Sequence, residues 1–512
     1  MGMMRFRVFP AERNTEQLAR QAYLAGIDRT SWPVRTAVEG DTLVLHRSVS
    51  DSANLHAPWP VEGHGELTLS TGSLIERTEP YLLPLELVRG TIVQVRNQLS
   101  EWQLIGLAVP KAVGGKLATA IERFSHAAVE QNNPAVSARY SDESLRAALE
   151  AANLLAAAYT EQVFAARRRE KVSGTVCAEH PKGRAGKRCP TPFPLLGAEL
   201  GADLLDDHTS RQFLMTFNAA EVPICWRETE STEGRFSWTT NDRQIQWCRK
   251  HGLKVVAGPL LLLDHRDLPD WLYLFEDDFE NVLEFVSTLV RATVNRYRGQ
   301  VDYWICAGRV NSDVLAMSEQ ERLRLVARTV ELTRELDPDT PALVSFDQPW
   351  AEYMRERHVD FPPFHFADTL IRADIGLSGL MMEMNLGYFP GGTMPRHILE
   401  FNRQLDAWSL LGLPLWLSLC APSAYHDDPL AVRKVALRPG SWTPAAQQSF
   451  AARLIPFALA RQSIQGVLWN QLHDSRPHDF PHGGLFDDRR QAKPALRTLA
   501  AIRRKYLKSV RE

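Results

Sequence analysis

The 512-residue chain lacks any marked excess of charge: 59 Lys and Arg stand against 61 Asp and Glu, a formal net charge of −2. That balance excludes the whole-molecule field that recruits nucleic acid or an anionic membrane surface. Cysteine is scarce too, with six residues at 177, 189, 225, 248, 306 and 420, too few and too scattered for a disulfide framework in a chain this long. Cys177, His180 and Cys189 have neither a CxxC pair nor a fourth ligand, so they are read as linker, and no metal is expected. No apolar run approaches membrane-span length, and the opening MGMMRFRVFPAERNTEQ carries no signal-peptide core. As written, the chain is expected in the cytoplasm, and a secreted form would require a leader upstream. A Gly-rich phosphate turn is also missing. GAELGADLL matches one poorly, which disfavours an open dinucleotide-binding sheet, and no cofactor is expected.

What is present falls into three stretches. Residues 1–84 alternate apolar and polar positions in short bursts such as DTLVLHRSV and GELTLSTGSL, between Gly, Pro, Asn and Asp clusters. This predicts a small antiparallel, β-sandwich-like domain, serving as a carbohydrate-binding module or as a packing partner for the rest. Residues 85–175 turn to helical periodicity. Ser141 reads as the N-cap of the last helix there, with Asp142 and Glu143 in its first turn and Arg167 to Arg169 in its last, complementing the helix dipole. The apolar faces of this segment offer a pairing surface for a second copy of the chain. Residues 176–189 read as linker.

From 190 to 508, eight short apolar runs alternate with amphipathic helices: FPLLGAEL, FLMTFNAAEV, LKVVAGPLLLL, VDYWICAG, PALVSFD, LSGLMMEMN, LPLWLSLCA and IQGVLWNQL. Eight such units in roughly 320 residues predict an α/β fold, a (β/α)8 TIM barrel.

Four stretches then carry a resemblance: residues 217–272 (FNAAEVPICWRETESTEGRF to LPDWL), RYRGQVDYWICAGRVN, LPLWLSLCAP and GVLWNQLHDSRPHDFPHGGLFDDRRQAKPAL. In this order they resemble family 10 glycoside hydrolases, the xylanases, which implies a barrel cleft for carbohydrate. The same resemblance places the family's proton-donating Glu on Arg309, its preceding Asn on Gly308 and its nucleophilic Glu on Leu419. The Glu-Asn of the family's Pro-Glu-Asn run falls near Pro223-Ile224, the Lys after it on Arg227, and a sugar-contacting His on Pro259. Retaining hydrolysis needs two carboxylates roughly 5–5.5 Å apart. Leucine offers no lone pair and arginine no usable proton, so conventional xylanase chemistry is not expected.

In this fold the reactive face is formed by the C-terminal strand ends. Glu383 and Asp347 end neighbouring strands after apolar runs, where partial desolvation raises a carboxyl toward acid–base use. With Asp474 they form the expected replacement catalytic set, although an ion pair between Arg309 and either of the first two is an equally open reading. Glu199, Arg227, Glu228, Asp264, His265, Arg309, Asn311, Gln348, Asn385, Asn470 and His473 are expected to contact substrate, with Arg309 recognising an acidic substituent. Trp350, Tyr388 and Trp469 are candidate platforms for a sugar face, whereas Trp304 and Trp416 lie within strands and read as core. His473, His478 and His482, with Asp474 and Asp479, sit in a loop broken by Pro477 and Pro481, so hydrogen bonding is favoured over metal. The leading expectation is a glycosidase-like enzyme acting through the relocated set. The alternatives are a non-catalytic glycan-binding protein and a scaffold.

Overall fold

The computed structural model describes residues 2–26, 29–172, 194–356, 359–433 and 442–507. The linker of 176–189, with Cys177, His180 and Cys189, lies outside the described residues. The chain divides into two compact units, Met1–Ala165 with Trp350–Val359 and Thr393–Leu405, and Ala166–Pro349 with Asp360–Gly392 and Asp406–Glu512. No helix among the described residues is long and apolar enough to cross a membrane.

The first unit holds two four-stranded sheets. One runs Arg35–Glu39, Thr42–Arg47, Gly2–Arg7, Tyr81–Leu82, and the other Ser31–Trp32, Tyr23–Ala25, Asn54–Val61, Gly65–Ser70. Pairing is antiparallel except where Phe6 and Arg7 lie parallel to Tyr81 and Leu82. Helices Leu83–Leu104, Lys111–Val129 and Pro134–Val172 follow. The last corrects the expectation at Ser141: the helix starts seven residues earlier, and Ser141 is a buried interior residue whose hydroxyl has no partner. Pro134 takes the first helical position, where its missing N–H costs nothing, and the Asn133 backbone and side-chain oxygens accept from Ser137 and Val136. The two segments contributed from later in the sequence are anchored by a buried ion pair, Arg396 to Glu352 at 2.8 Å, with Arg396 also donating to the Tyr23 hydroxyl.

The second unit is a closed barrel of eight parallel strands: β1 Leu195–Glu199, β2 Ala219–Val222, β3 Lys254–Ala257, β4 Tyr303–Gly308, β5 Ala342–Asp347, β6 Gly379–Asn385, β7 Leu415–Cys420 and β8 Ile464–Trp469. Closure is made by β8 against β1 and by β3 against β4, and a short continuation Leu261–Leu262 also pairs with β4. A helix follows every strand in sequence, giving the (β/α)8 order. Each strand sends one residue into a common layer: Leu195, Ala219, Val256, Ile305, Leu343, Met381, Trp416 and Leu468. The Trp416 ring fills the middle so fully that a Cβ on Gly466 would lie 2.2 Å from it, which is why β8 carries glycine there. Trp304 is buried, with its indole N–H on Asp337 at 2.9 Å. The barrel is thus plugged at its waist, and its chemistry is confined to the C-terminal strand ends.

Candidate functional site

Above that layer lies a cavity of about 700 Å³. The chain leaves β4 through Arg309, whose φ of +52° is in the left-handed region, a conformation with a cost of roughly 1–3 kcal/mol for a side chain-bearing residue. The guanidinium is buried, and four of its five N–H groups are on carboxylates. Nη1 donates to Asp264 Oδ2 at 2.5 Å, Nη2 to Glu383 Oε1 at 2.8 Å and to Asp479 Oδ2 at 2.6 Å, and Nε to both Glu383 oxygens at 3.3 Å. Asp264 and Asp479 each take further arginine. Arg266 bridges the two, and Arg433 reaches Asp264 at 3.3 Å while donating to the Gly391 carbonyl. Glu383 instead accepts from the amides of Asn385 (2.9 Å) and Asn470 (3.0 Å). Three arginines therefore face three carboxylates.

This arrangement fixes protonation states. Burial pushes Glu383 up, but Arg309 outweighs it and holds the carboxyl below its ordinary value. Asp264 is drawn to about 2 because Arg309 and Arg266 overcome its burial, and Asp479 lies lower for the same reason. All three are carboxylates at neutral pH. A second group behaves oppositely. Glu199 on β1 and Glu221 on β2 are register partners, and burial with the neighbouring negative charges raises Glu199 to about 8 and Glu221 well above the usual range. The Glu221 Oε2 is buried with no hydrogen-bond partner. Asp267, raised by burial to about 7, and Glu228, raised by burial and by Asp203, also line the cavity.

Of the residues expected at the site, Glu199, Glu228, Asp264, Arg309, Glu383, Asn470 and His473 line this cavity together. His473 is pushed down to about 4 by burial and stacks on Phe486. The remaining expected residues fall elsewhere. Asp474, expected as catalytic, forms a buried ion pair with Lys493 and accepts from Gln471 and the Gly484 N–H, so it braces the loop after β8. Asp347 stands beside Glu383 in register and is raised to about 6, by burial and then by the Glu383 charge, but it caps its own turn by accepting from Gln348 N at 2.9 Å. Asn311 ties the end of β4 to the Asp347 backbone in both directions. Gln348, with φ +47°, hydrogen-bonds Asp347. Asn385 supports Glu383 from the barrel side. Arg227 pairs with Asp270 and holds the His265 and Leu268 carbonyls, and His265 is exposed with Nδ1 against the Tyr273 hydroxyl.

The three aromatic platforms are corrected outright. Trp350 belongs to the first unit, buried beneath Arg396. Tyr388 is fully buried, donates to the Pro481 carbonyl and packs on Phe480. Trp469 is buried with its N–H on the Gly483 carbonyl. No Trp, Tyr or Phe lines the cavity among the described residues. The loop histidines separate as well: His478 and His482 both face Asp428, whereas His473 does not. Sequence reasoning passed over Glu221, Asp267, Arg266 and Arg433. Glu221 had a signal, an acid inside the apolar run AAEV; the others required knowledge of which loops fold over the barrel mouth.

Residues 202–317 match the sequence profile of Glycosyl hydrolase family 10. Endo-1,4-beta-xylanase C of Paenibacillus barcinonensis is 27% identical over 128 residues, 23% of this chain and 12% of that protein, so the chain spans about an eighth of that relative. Among solved structures, native xylanase 10B from Thermotoga maritima has a TM-score of 0.49 at 15% identity, covering 61% of this chain and 95% of that one. Xylanase 10B from Thermotoga petrophila RKU-1, solved with xylobiose, gives 0.47 at 15% identity, with 64% and 100% covered.

Proposed function

Taking the barrel as a relative of glycosyl hydrolase family 10 through residues 202–317, we propose that this chain binds a carbohydrate at the C-terminal mouth of its barrel without cleaving it. The observation that carries the reading is the pairing of Arg309 with three carboxylates. Its guanidinium stands where the resemblance expects the proton donor, and all its nitrogens are already on carboxylates. Leu419, where the nucleophile is expected, is fully buried, and its neighbour Ser418 lines the cavity instead. Glu383, held ionised by Arg309, has no proton to give a leaving group. The same pairing argues against Arg309 as a clamp on an acidic sugar, since a two-pronged clamp needs two free N–H groups and four of the five are already on carboxylates. Contacts to a ligand come instead from neutral carboxylic acids and amides, which match hydroxyl groups as both donors and acceptors.

A relocated hydrolytic set is the second reading, and one observation favours it: Glu199, protonated at neutral pH, lines the same cavity as the ionised Glu383. One experiment separates the two. Calorimetric titration of the full chain with a panel of oligosaccharides, followed by long incubation and product analysis, is expected to show binding and intact ligand. Release of new reducing ends that disappears in Glu199→Gln or Glu383→Gln would overturn the proposal in favour of the enzyme.

A further inference from the structure

The charges around the cavity are not spent evenly. Every arginine on its wall has a carboxylate: Arg309 and Arg266 share Asp264 and Asp479, Arg309 also holds Glu383, and Arg476 at the rim pairs with Asp203 at 2.8 Å. The acids are not all matched in return. Glu199, Glu221 and Glu228 line the cavity with no ion pair among the described residues. Glu199 and Glu221 stand side by side on β1 and β2, and the buried Oε2 of Glu221 is left without a donor. A buried polar atom with no partner costs roughly 1–3 kcal/mol in a folded protein, and an ammonium relieves it at Glu221 by donating once that acid or its neighbour has ionised.

From this geometry we infer that the preferred ligand is a sugar bearing an ammonium group, an amino sugar, with its cation seated between Glu199 and Glu221. The sugar part rests on the function proposed above; the charge part rests on the wall itself. An ammonium supplies three donors in a compact volume, and either acid becomes its counter-charge by giving up its proton. A metal ion is a poorer occupant, because no three His, Cys, Asp or Glu among the described residues are placed to hold one. A uronate or sulfate meets the wrong sign of charge. An N-acetylated sugar brings one amide donor and no charge.

The inference also fixes a proton balance. Glu199 faces Glu221, Glu383 and Asp479 on one side of the account and Arg309 and Arg266 on the other, while Glu221 faces Glu199, Glu383 and Arg309. Burial and the neighbouring carboxylates keep the pair protonated in the free protein, so a bound ammonium ionises an acid and expels its proton to solvent. No bond in the sugar is made or broken.

The test is calorimetry on the full chain with four probes: a glucosamine tetrasaccharide, its fully N-acetylated counterpart, xylotetraose and an oligogalacturonate. The glucosamine probe is expected to bind about tenfold tighter than the N-acetylated one, or more, the scale of one charge-assisted hydrogen bond. At about pH 5, where the free probe is fully an ammonium, its heat should vary with buffer ionisation enthalpy in the sense of proton release, and its affinity should rise from pH 4.5 to pH 6 and level off as the free amine itself titrates. Glu199→Gln, isosteric with the protonated acid, should abolish both the preference and the proton release, with near-ultraviolet dichroism confirming the fold. Xylotetraose binding as tightly as the glucosamine probe overturns the inference and leaves carbohydrate binding standing. Cleavage of the glucosamine probe overturns the non-catalytic reading and leaves the inference standing. Failure of all four probes to bind overturns both.

Discussion

Replacing Arg309 by leucine tests the electrostatic centre of the barrel mouth. The loss is not shared equally by its three partners. Asp264 and Asp479 keep Arg266 and Arg433, whereas Glu383 keeps the amides of Asn385 and Asn470 and only the more distant charge of Arg433. The cost therefore concentrates on one buried carboxylate left without a cation in hydrogen-bond contact. Removing one member of a buried pair destabilises by roughly 3–5 kcal/mol, which for a barrel of this size is a fall in Tm of roughly 5–15 °C. Arginine and leucine both carry a Cβ and pay the same cost at the left-handed position 309, so strain is expected to cancel in the difference. The pH dependence gives the reasoning its sharper edge. In the parent protein Glu383 is held below its ordinary value, so its contribution is present above the usual carboxylate range and lost as pH falls through the depressed value. In Arg309→Leu the buried, unpaired Glu383 moves above its ordinary value, so its penalty is full at high pH and relieved on acidification. Scanning calorimetry of both proteins at pH 8 and pH 5.5 should show the gap in Tm narrowing at the lower pH, and Arg309→Leu with Glu383→Leu should recover much of the loss. A gap that widens on acidification, a loss below about 1 kcal/mol, or strictly additive single and double variants would refute the reasoning.

Lys493→Met strands Asp474 in the loop after β8 and should lower stability by roughly 3–5 kcal/mol in urea unfolding monitored within the barrel, with Asp474→Asn added to it restoring most of that. Gly466→Ala drives a methyl into the Trp416 ring and is expected to cost at least about 1–3 kcal/mol, read as a lower Tm of the barrel transition. Glu199 has a carboxyl raised to about 8, so its contribution to stability is full below the ordinary carboxylate value and lost as pH rises through about 8. Glu199→Gln should therefore flatten the decline in Tm between pH 5 and pH 8.5; an unchanged slope would show that another group governs it.

The barrel was legible because parallel strands covered on both faces read as short apolar runs, and each of the eight runs quoted from the sequence contains an observed strand. FLMTFNAAEV overran its strand, since FLMT is the last turn of the helix Asp207–Thr216 and apolar continuity hides the boundary. LKVVAGPLLLL divides at Gly258-Pro259, where the sheet is interrupted. The site was legible at the level of strand ends but not of partners. Glu383 and Arg309 were each placed at the mouth, yet Asp479, which completes the cluster, comes from a loop 170 residues beyond Arg309, and nothing local announces it. Trp469 failed as a platform for a reason the strand period contains. Leu468 points into the barrel, so Trp469 next to it points out, and a rule based on closeness to a strand end misses that alternation. Glu221 obeys the same period, two residues beyond the inward Ala219.

Whether this barrel mouth keeps a ligand site and has lost hydrolysis can be read from one sample: the 512-residue chain with an oligosaccharide that binds it, followed over days by saturation-transfer and anomeric proton NMR. A persistent binding signal, with anomeric resonances unchanged from those of the free sugar, is expected. New reducing-end resonances that grow with time in the parent protein and not in Glu199→Gln would contradict the loss of hydrolysis.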